Sequence, residues 1–214
     1  MSETSALLKE PWESFERQKE AGKFGIWIFL ASEVLFFGAL LLTYAVYRLG
    51  NLQAFAAAGR ETNISYGTIN TGILLTSSLT MAVASQAAAA KAGFRRLVIG
   101  CLAGTAALGI AFLVVKGFEY KEDIDKHLVP GVHFALKQAA AQIFFGLYWL
   151  VTGIHAIHLT IGIVMVSRLA FLGWRRKLVL DDNPELEVTG LYWHLVDIVW
   201  IFLYPLIYLP GRAG

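Results

Sequence analysis

Apolar residues dominate five stretches of this chain, and polar or charged residues gather in the segments between them. The stretches run over about 24–47, 67–90, 97–115, 139–171 and 190–209. None shows the strict alternation of a half-buried strand, and each reaches the roughly 20 residues that a helix needs to cross a bilayer. The pattern predicts an all-α, polytopic membrane protein, a bundle of five transmembrane helices over 23–211 preceded by a polar tail over 1–22. The fourth stretch is longer than a flat crossing requires and is expected to tilt or project.

Composition sharpens this picture. Of 214 residues, 57% are hydrophobic and 16% charged, against about 25% charged in soluble domains. Five spans leave no length for a separate soluble catalytic domain. The tail mixes Lys9, Glu10, Glu13, Glu16, Arg17, Lys19 and Glu20, unlike a cleavable signal or an Arg-rich targeting segment. Pro11, Trp12 and Phe15 in it suit a segment lying along the membrane surface.

Basic residues set the expected orientation. Lys9, Arg17, Lys19, Lys23, Lys91, Arg95, Arg96, Arg168, Arg175, Arg176 and Lys177 fall on one side. Arg48, Arg60, Lys116, Lys121, Lys126, Lys137 and Arg212 fall on the other. The positive-inside rule then places the N-terminus in the cytoplasm and the C-terminus in the periplasm of a bacterial inner membrane. The net charge of +2 gives no reason to expect nucleic acid as a partner. Cys101 stands alone, which excludes an internal disulfide, a paired-cysteine copper centre and a CxxCH haem attachment. Gly100, Gly104 and Gly109 on the third span favour close helix packing.

The residues that do not belong in lipid carry the candidate chemistry. Glu33 lies near the middle of the first span, where an ionised carboxylate costs roughly 2.5 kcal/mol or more. It is expected to face protein or bound water as a hydrogen-bonded, protonated acid, serving either proton handling or helix packing alone. His155 and His158 share a face of the fourth span, and interhelical hydrogen bonding is favoured over a metal site, which needs further ligands. His194 and Asp197 are also three apart, and a shared hydrogen bond between them is expected. Tyr192, Trp193 and Trp200 on the same span are candidates for lipid or partner contact. His127 and His133 read as members of a solvated turn around Pro130-Gly131. Five histidines, two of them in a loop, are too few for a haem-and-copper centre, so no redox metal site is expected on this chain.

Five ordered motifs resemble subunit III of the haem-copper cytochrome c oxidases. Gly25–Phe37, GIWIFLASEVLFF, looks like that family's signature around a buried glutamate, with Glu33 in the matching place. Asn70–Ser78 (NTGILLTSS), the Glu119-Tyr120 pair, Thr152–His158 (TGIHAIH) and Tyr192–Tyr204 (YWHLVDIVWIFLY) are similar to later elements of the family. The chain departs from the long members in lacking their first two helices, as the shorter bacterial forms do. It carries Ser85-Gln86 where they have a histidine pair, and Lys116 where a glutamine is common.

The resemblance implies a non-redox subunit of a proton-pumping cytochrome c terminal oxidase. Such a subunit packs on subunit I and accompanies subunit II, binds structural phospholipid and supports proton uptake, with haem and copper in the partner chains. The equivalent subunit of a quinol oxidase or of a nitric oxide reductase-associated complex is the alternative. A stand-alone proton transporter is disfavoured by the absence of an internal repeat and of broken helices.

Overall fold

The computed structural model describes residues 15–90, 93–132, 134–136, 138–181 and 183–212. The expected surface-lying segment around Pro11 and Trp12, together with Lys91, His133 and Lys137, lies outside them. Six helices follow in order: α1 Phe15–Gly50, α2 Leu52–Glu61, α3 Ile64–Ala89, α4 Arg95–Asp125, α5 Ala139–Trp174 and α6 Pro184–Tyr208. All but α2 are long and apolar enough to cross a membrane. At about 1.5 Å per residue, the 36 residues of α5 reach roughly 54 Å, well beyond a hydrocarbon core of about 30 Å.

The helices begin and end for local reasons. Asn63 caps α3 by accepting from the Ser65 amide (3.1 Å), and Asn183 caps α6 by accepting from the Glu185 amide (2.8 Å). Pro184 opens α6, and Glu185 and Glu187 in its first turn favour the positive end of the helix dipole. This is why α6 starts six residues before the apolar stretch does. α4 and α5 end alike. His127 (φ 55°) and Arg176 (φ 56°) take the left-handed conformation, and the amide of each, with the one after it, turns back onto carbonyls of the last turn. His127 and Leu128 donate to Ile124 and Asp123; Arg176 and Lys177 donate to Gly173 and Leu172. His127 is therefore a helix terminator.

α3, α4, α5 and α6 form the core, with α3 packed along α4 and α6, and α5 closing the other side of α4 and α6. α1 lies outermost on α6 and α5. It buries the stripe Ile26, Leu30, Phe37 and Tyr44, while Phe24 (70%), Leu35 (75%) and Leu49 (75%) stand exposed. α2, which the hydropathy pattern did not predict, lies across α5 with Phe55, Ala58 and Gly59 buried. An arginine clamps each end of the bundle. Arg95, at the start of α4, donates to the Gly173 and Trp174 carbonyls ending α5. Arg212 donates to the Gly59, Arg60 and Thr62 carbonyls ending α2.

Two expectations change. α4 runs ten residues past the apolar stretch. Its buried face continues with the same 3–4 spacing through Leu102, Thr105, Gly109, Phe112, Lys116, Glu119 and Asp123, so charges expected in a loop point into the bundle. Of the three glycines on this helix only Gly109 permits a close approach. A Cβ there would lie 2.8 Å from both Ile163 Cγ1 and Trp193 Cη2, whereas at Gly100 and Gly104 it would meet nothing within 4 Å. Gly109→Val should therefore lower the thermal midpoint, by the ~1–3 kcal/mol typical of overpacking. Gly100→Ala should leave it unchanged or slightly raised, through the gain in helix propensity. Thermal unfolding of the two variants in detergent distinguishes these outcomes.

Candidate functional site

Glu33 and His158 meet across the α1–α5 contact, His158 Nε2 lying 3.0 Å from Glu33 Oε2. Both side chains are mostly covered, at 16% and 17% exposure. Two contacts fix the ring and a third holds the backbone beneath it. Its Nδ1 lies 2.9 Å from the Ile154 carbonyl, Phe37 meets it edge-on, and the Tyr192 hydroxyl donates to the His158 carbonyl at 3.0 Å.

That geometry counts protons. A carbonyl only accepts, so Nδ1 must carry a hydrogen, and a neutral His158 then has a bare Nε2. Oε2 of an ionised Glu33 facing a bare nitrogen is no hydrogen bond, and Oε2 has no other partner among the described residues. The 3.0 Å contact is bonded only when one proton lies between the two groups, on the carboxyl or on the ring. Either way the pair is neutral overall, which suits the middle of a span.

The neighbouring polar residues divide among other contacts. His155, 1% exposed, packs between Phe112 and Trp200 with both ring nitrogens free of a partner among the described residues. It lies one turn from His158 yet shares no partner with it. His194 does not bond Asp197, as expected from their spacing; its Nδ1 meets Ser78 Oγ on α3 at 2.9 Å. Asp197 also faces Ser78, but its oxygens form no hydrogen bond among the described residues. Helical spacing put His194 and Asp197 on one face, and the polar α3 surface drew them away from each other.

The three aromatic residues expected at lipid or a partner are buried instead. Trp193 is 0% exposed, Trp200 1% and Tyr192 4%. The Trp193 indole fills the notch between Gly109 and Gly162, where a Cβ would approach it to 2.8 and 3.1 Å, and its Nε1 donates to Ser77 Oγ at 3.2 Å. Trp200 Nε1 donates to Thr71 Oγ1 at 3.1 Å. An indole satisfied inside the bundle has no need of the interface.

A second polar centre lies toward the end of the bundle that carries α2. Lys116 Nζ donates to Glu119 Oε2 (3.0 Å), Tyr148 Oη (3.1 Å) and Tyr208 Oη (2.7 Å). Tyr208 donates to Glu119 Oε1 at 2.7 Å, and Tyr148 Oη lies 3.0 Å from Glu119 Oε1 and 2.7 Å from Asp123 Oδ2. Lys116, Glu119 and Asp123 are at most 2% exposed, and the ammonium also sits over the Tyr120 and Tyr148 rings at 4.9 and 4.7 Å. The hydropathy pattern places these charges in the polar segment between the third and fourth apolar stretches. The signal that reveals them is their 3–4 spacing in phase with the buried face of α4.

Among the described residues no group of three or more His, Cys, Asp or Glu side chains converges as metal ligands would. His155 is sandwiched between aromatic rings, and His158 and His194 are committed to Glu33 and Ser78. Haem or copper finds no fitting donor set here.

Comparison with known proteins supplies the lineage. Residues 15–212 match the family described as Cytochrome c oxidase subunit III. The chain is 32% identical over 190 residues to cytochrome c oxidase subunit 3 of Alkalihalophilus pseudofirmus, covering 89% of this chain and 87% of that one. It is 31% identical to the cytochrome bo(3) ubiquinol oxidase subunit 3 of Pseudomonas aeruginosa, covering 88% and 84%. It is also 30% identical over 201 residues to the heme-copper oxidase subunit I+III of Aeropyrum pernix, covering 89% of this chain and 23% of that longer one. A match along almost the whole chain, over a five-span helical fold, makes this protein a member of the cytochrome c oxidase subunit III family, a subunit III of a haem-copper oxidase.

Proposed function

We propose that this subunit serves a proton-pumping terminal oxidase fed by cytochrome c, in a bacterial inner membrane, with its N-terminus in the cytoplasm. It stabilises subunit I, accompanies subunit II, binds structural phospholipid and sustains proton uptake, while haem and copper reside in the partner chains. The single observation that carries the proton role is the Glu33–His158 pair, which is bonded only when it holds one proton. The large exposed apolar residues of α1 around it offer a face for lipid or for subunit I. The relative in which subunits I and III share one polypeptide supports subunit I as the neighbour. A ubiquinol oxidase relative of nearly equal identity makes quinol the second reading for the electron donor.

Purification of the complex through this subunit tests the proposal. Oxidation of reduced cytochrome c, with haem and copper chains co-purifying, is the expected result, and a complex that oxidises quinol alone replaces the first reading with the second. Glu33→Gln keeps a donor for His158 Nε2, so assembly yield should match the wild type while proton uptake during turnover falls several-fold. Glu33→Lys places an unpaired cation mid-span at a cost of about 3 kcal/mol and should sharply reduce assembly. If both variants assemble and turn over like the parent, the carboxyl has no role in proton supply.

A further inference from the structure

The Lys116 centre is one hydrogen short. All three ammonium hydrogens are committed to Glu119 Oε2, Tyr148 Oη and Tyr208 Oη, and the Tyr208 hydroxyl is committed to Glu119 Oε1. Two contacts remain, Tyr148 Oη to Glu119 Oε1 at 3.0 Å and Tyr148 Oη to Asp123 Oδ2 at 2.7 Å. Oxygens this close in a buried site are joined by a hydrogen, and the Tyr148 hydroxyl owns only one. Charge gives the same deficit. One ammonium and two carboxylates leave a net negative charge in a site no more than 2% exposed, where an uncompensated charge is strongly disfavoured.

We propose that these residues form a binding site for a single proton, carried by Asp123. With it in place, Asp123 donates to Tyr148 Oη, Tyr148 donates to Glu119 Oε1, and every short contact holds one hydrogen. Tyr148 then accepts twice and donates once, the full complement of a phenol, and the site is neutral. The surrounding charges do not alter the count. On α4, Glu122 is engaged by Lys126 (2.7 Å) and by Asn63 at the start of α3 (3.3 Å). Tyr120 is bonded to Thr152 at 2.8 Å. From α5 the centre meets Tyr148 and, beyond Lys116, His155; from α6 it meets Tyr208. The site lies ten residues along α5 from His158, about 15 Å, so it is separate from the Glu33 pair. Losing its proton leaves the single Tyr148 hydrogen to serve either Asp123 or Glu119 but not both, so one contact between α4 and α5 opens and the joint is sensitive to pH from the α2 end of the bundle.

Infrared spectroscopy of the assembled oxidase, with aspartate labelled by carbon-13 at its side-chain carboxyl, tests the assignment. At neutral pH a protonated-carboxyl C=O band should shift on labelling. A component of it should disappear in Asp123→Asn and persist in Asp197→Asn. Asp123→Asn should assemble and unfold at the parent temperature, because its amide donates to Tyr148 as the protonated acid does. Tyr148→Phe removes the acceptor and should move the same component in frequency, which decides the matter if Asp123→Asn does not assemble. A labelled wild type with only ionised aspartate bands overturns the proposal. So does a protonated band unchanged in both Asp123→Asn and Tyr148→Phe.

Discussion

Trp193 is the point at which the helices of the core become one object. In lipid, an apolar helix face gains little by exchanging acyl chains for another helix, so association depends on shape and on polar ties. The Trp193 indole supplies both. It leaves α6, enters the notch between Gly109 of α4 and Gly162 of α5, and reaches Ser77 on α3 with its one donor. Four helices are thereby set in register by a single side chain, and Trp200 repeats the tie to α3 two turns further along α6. α1 and α2 lie outside this arrangement and are fastened onto it.

The polar chemistry is divided between the core and the helix fastened onto it. Glu33 reaches His158 from the outer helix, and the Lys116 centre joins α4, α5 and α6 near the opposite end from Arg95. In each case the groups are brought together from different helices, so satisfying a buried polar atom and holding the fold are the same act. The arginine clamps complete the pattern at the helix ends, where carbonyls lack partners of their own.

The helical class, the five spans and the family resemblance were legible in the sequence, because apolar length and ordered motifs are local properties. Glu33 could be singled out because a lone acid in an apolar run is visible in one dimension. Its partner could not, since His158 and His155 look alike until the packing of α1 selects one of them. His194 and Asp197 show the opposite limit. Their spacing gives a shared face but not Ser78 on α3, which takes the His194 ring and leaves both Asp197 oxygens unbonded among the described residues. The Lys116 centre was hidden because charges at the end of an apolar stretch read as a loop.

The outer position of α1 has a consequence for biosynthesis. Glu33 enters the membrane on α1, while His158 lies more than a hundred residues downstream, roughly ten seconds at a synthesis rate of about 5–20 residues per second. During that interval the carboxyl has no imidazole to meet. The α1–α5 joint closes only after α5 has been made, and until then the cost of a carboxyl placed mid-span, roughly 2.5 kcal/mol or more, falls on α1 and whatever lipid or polypeptide lies beside it.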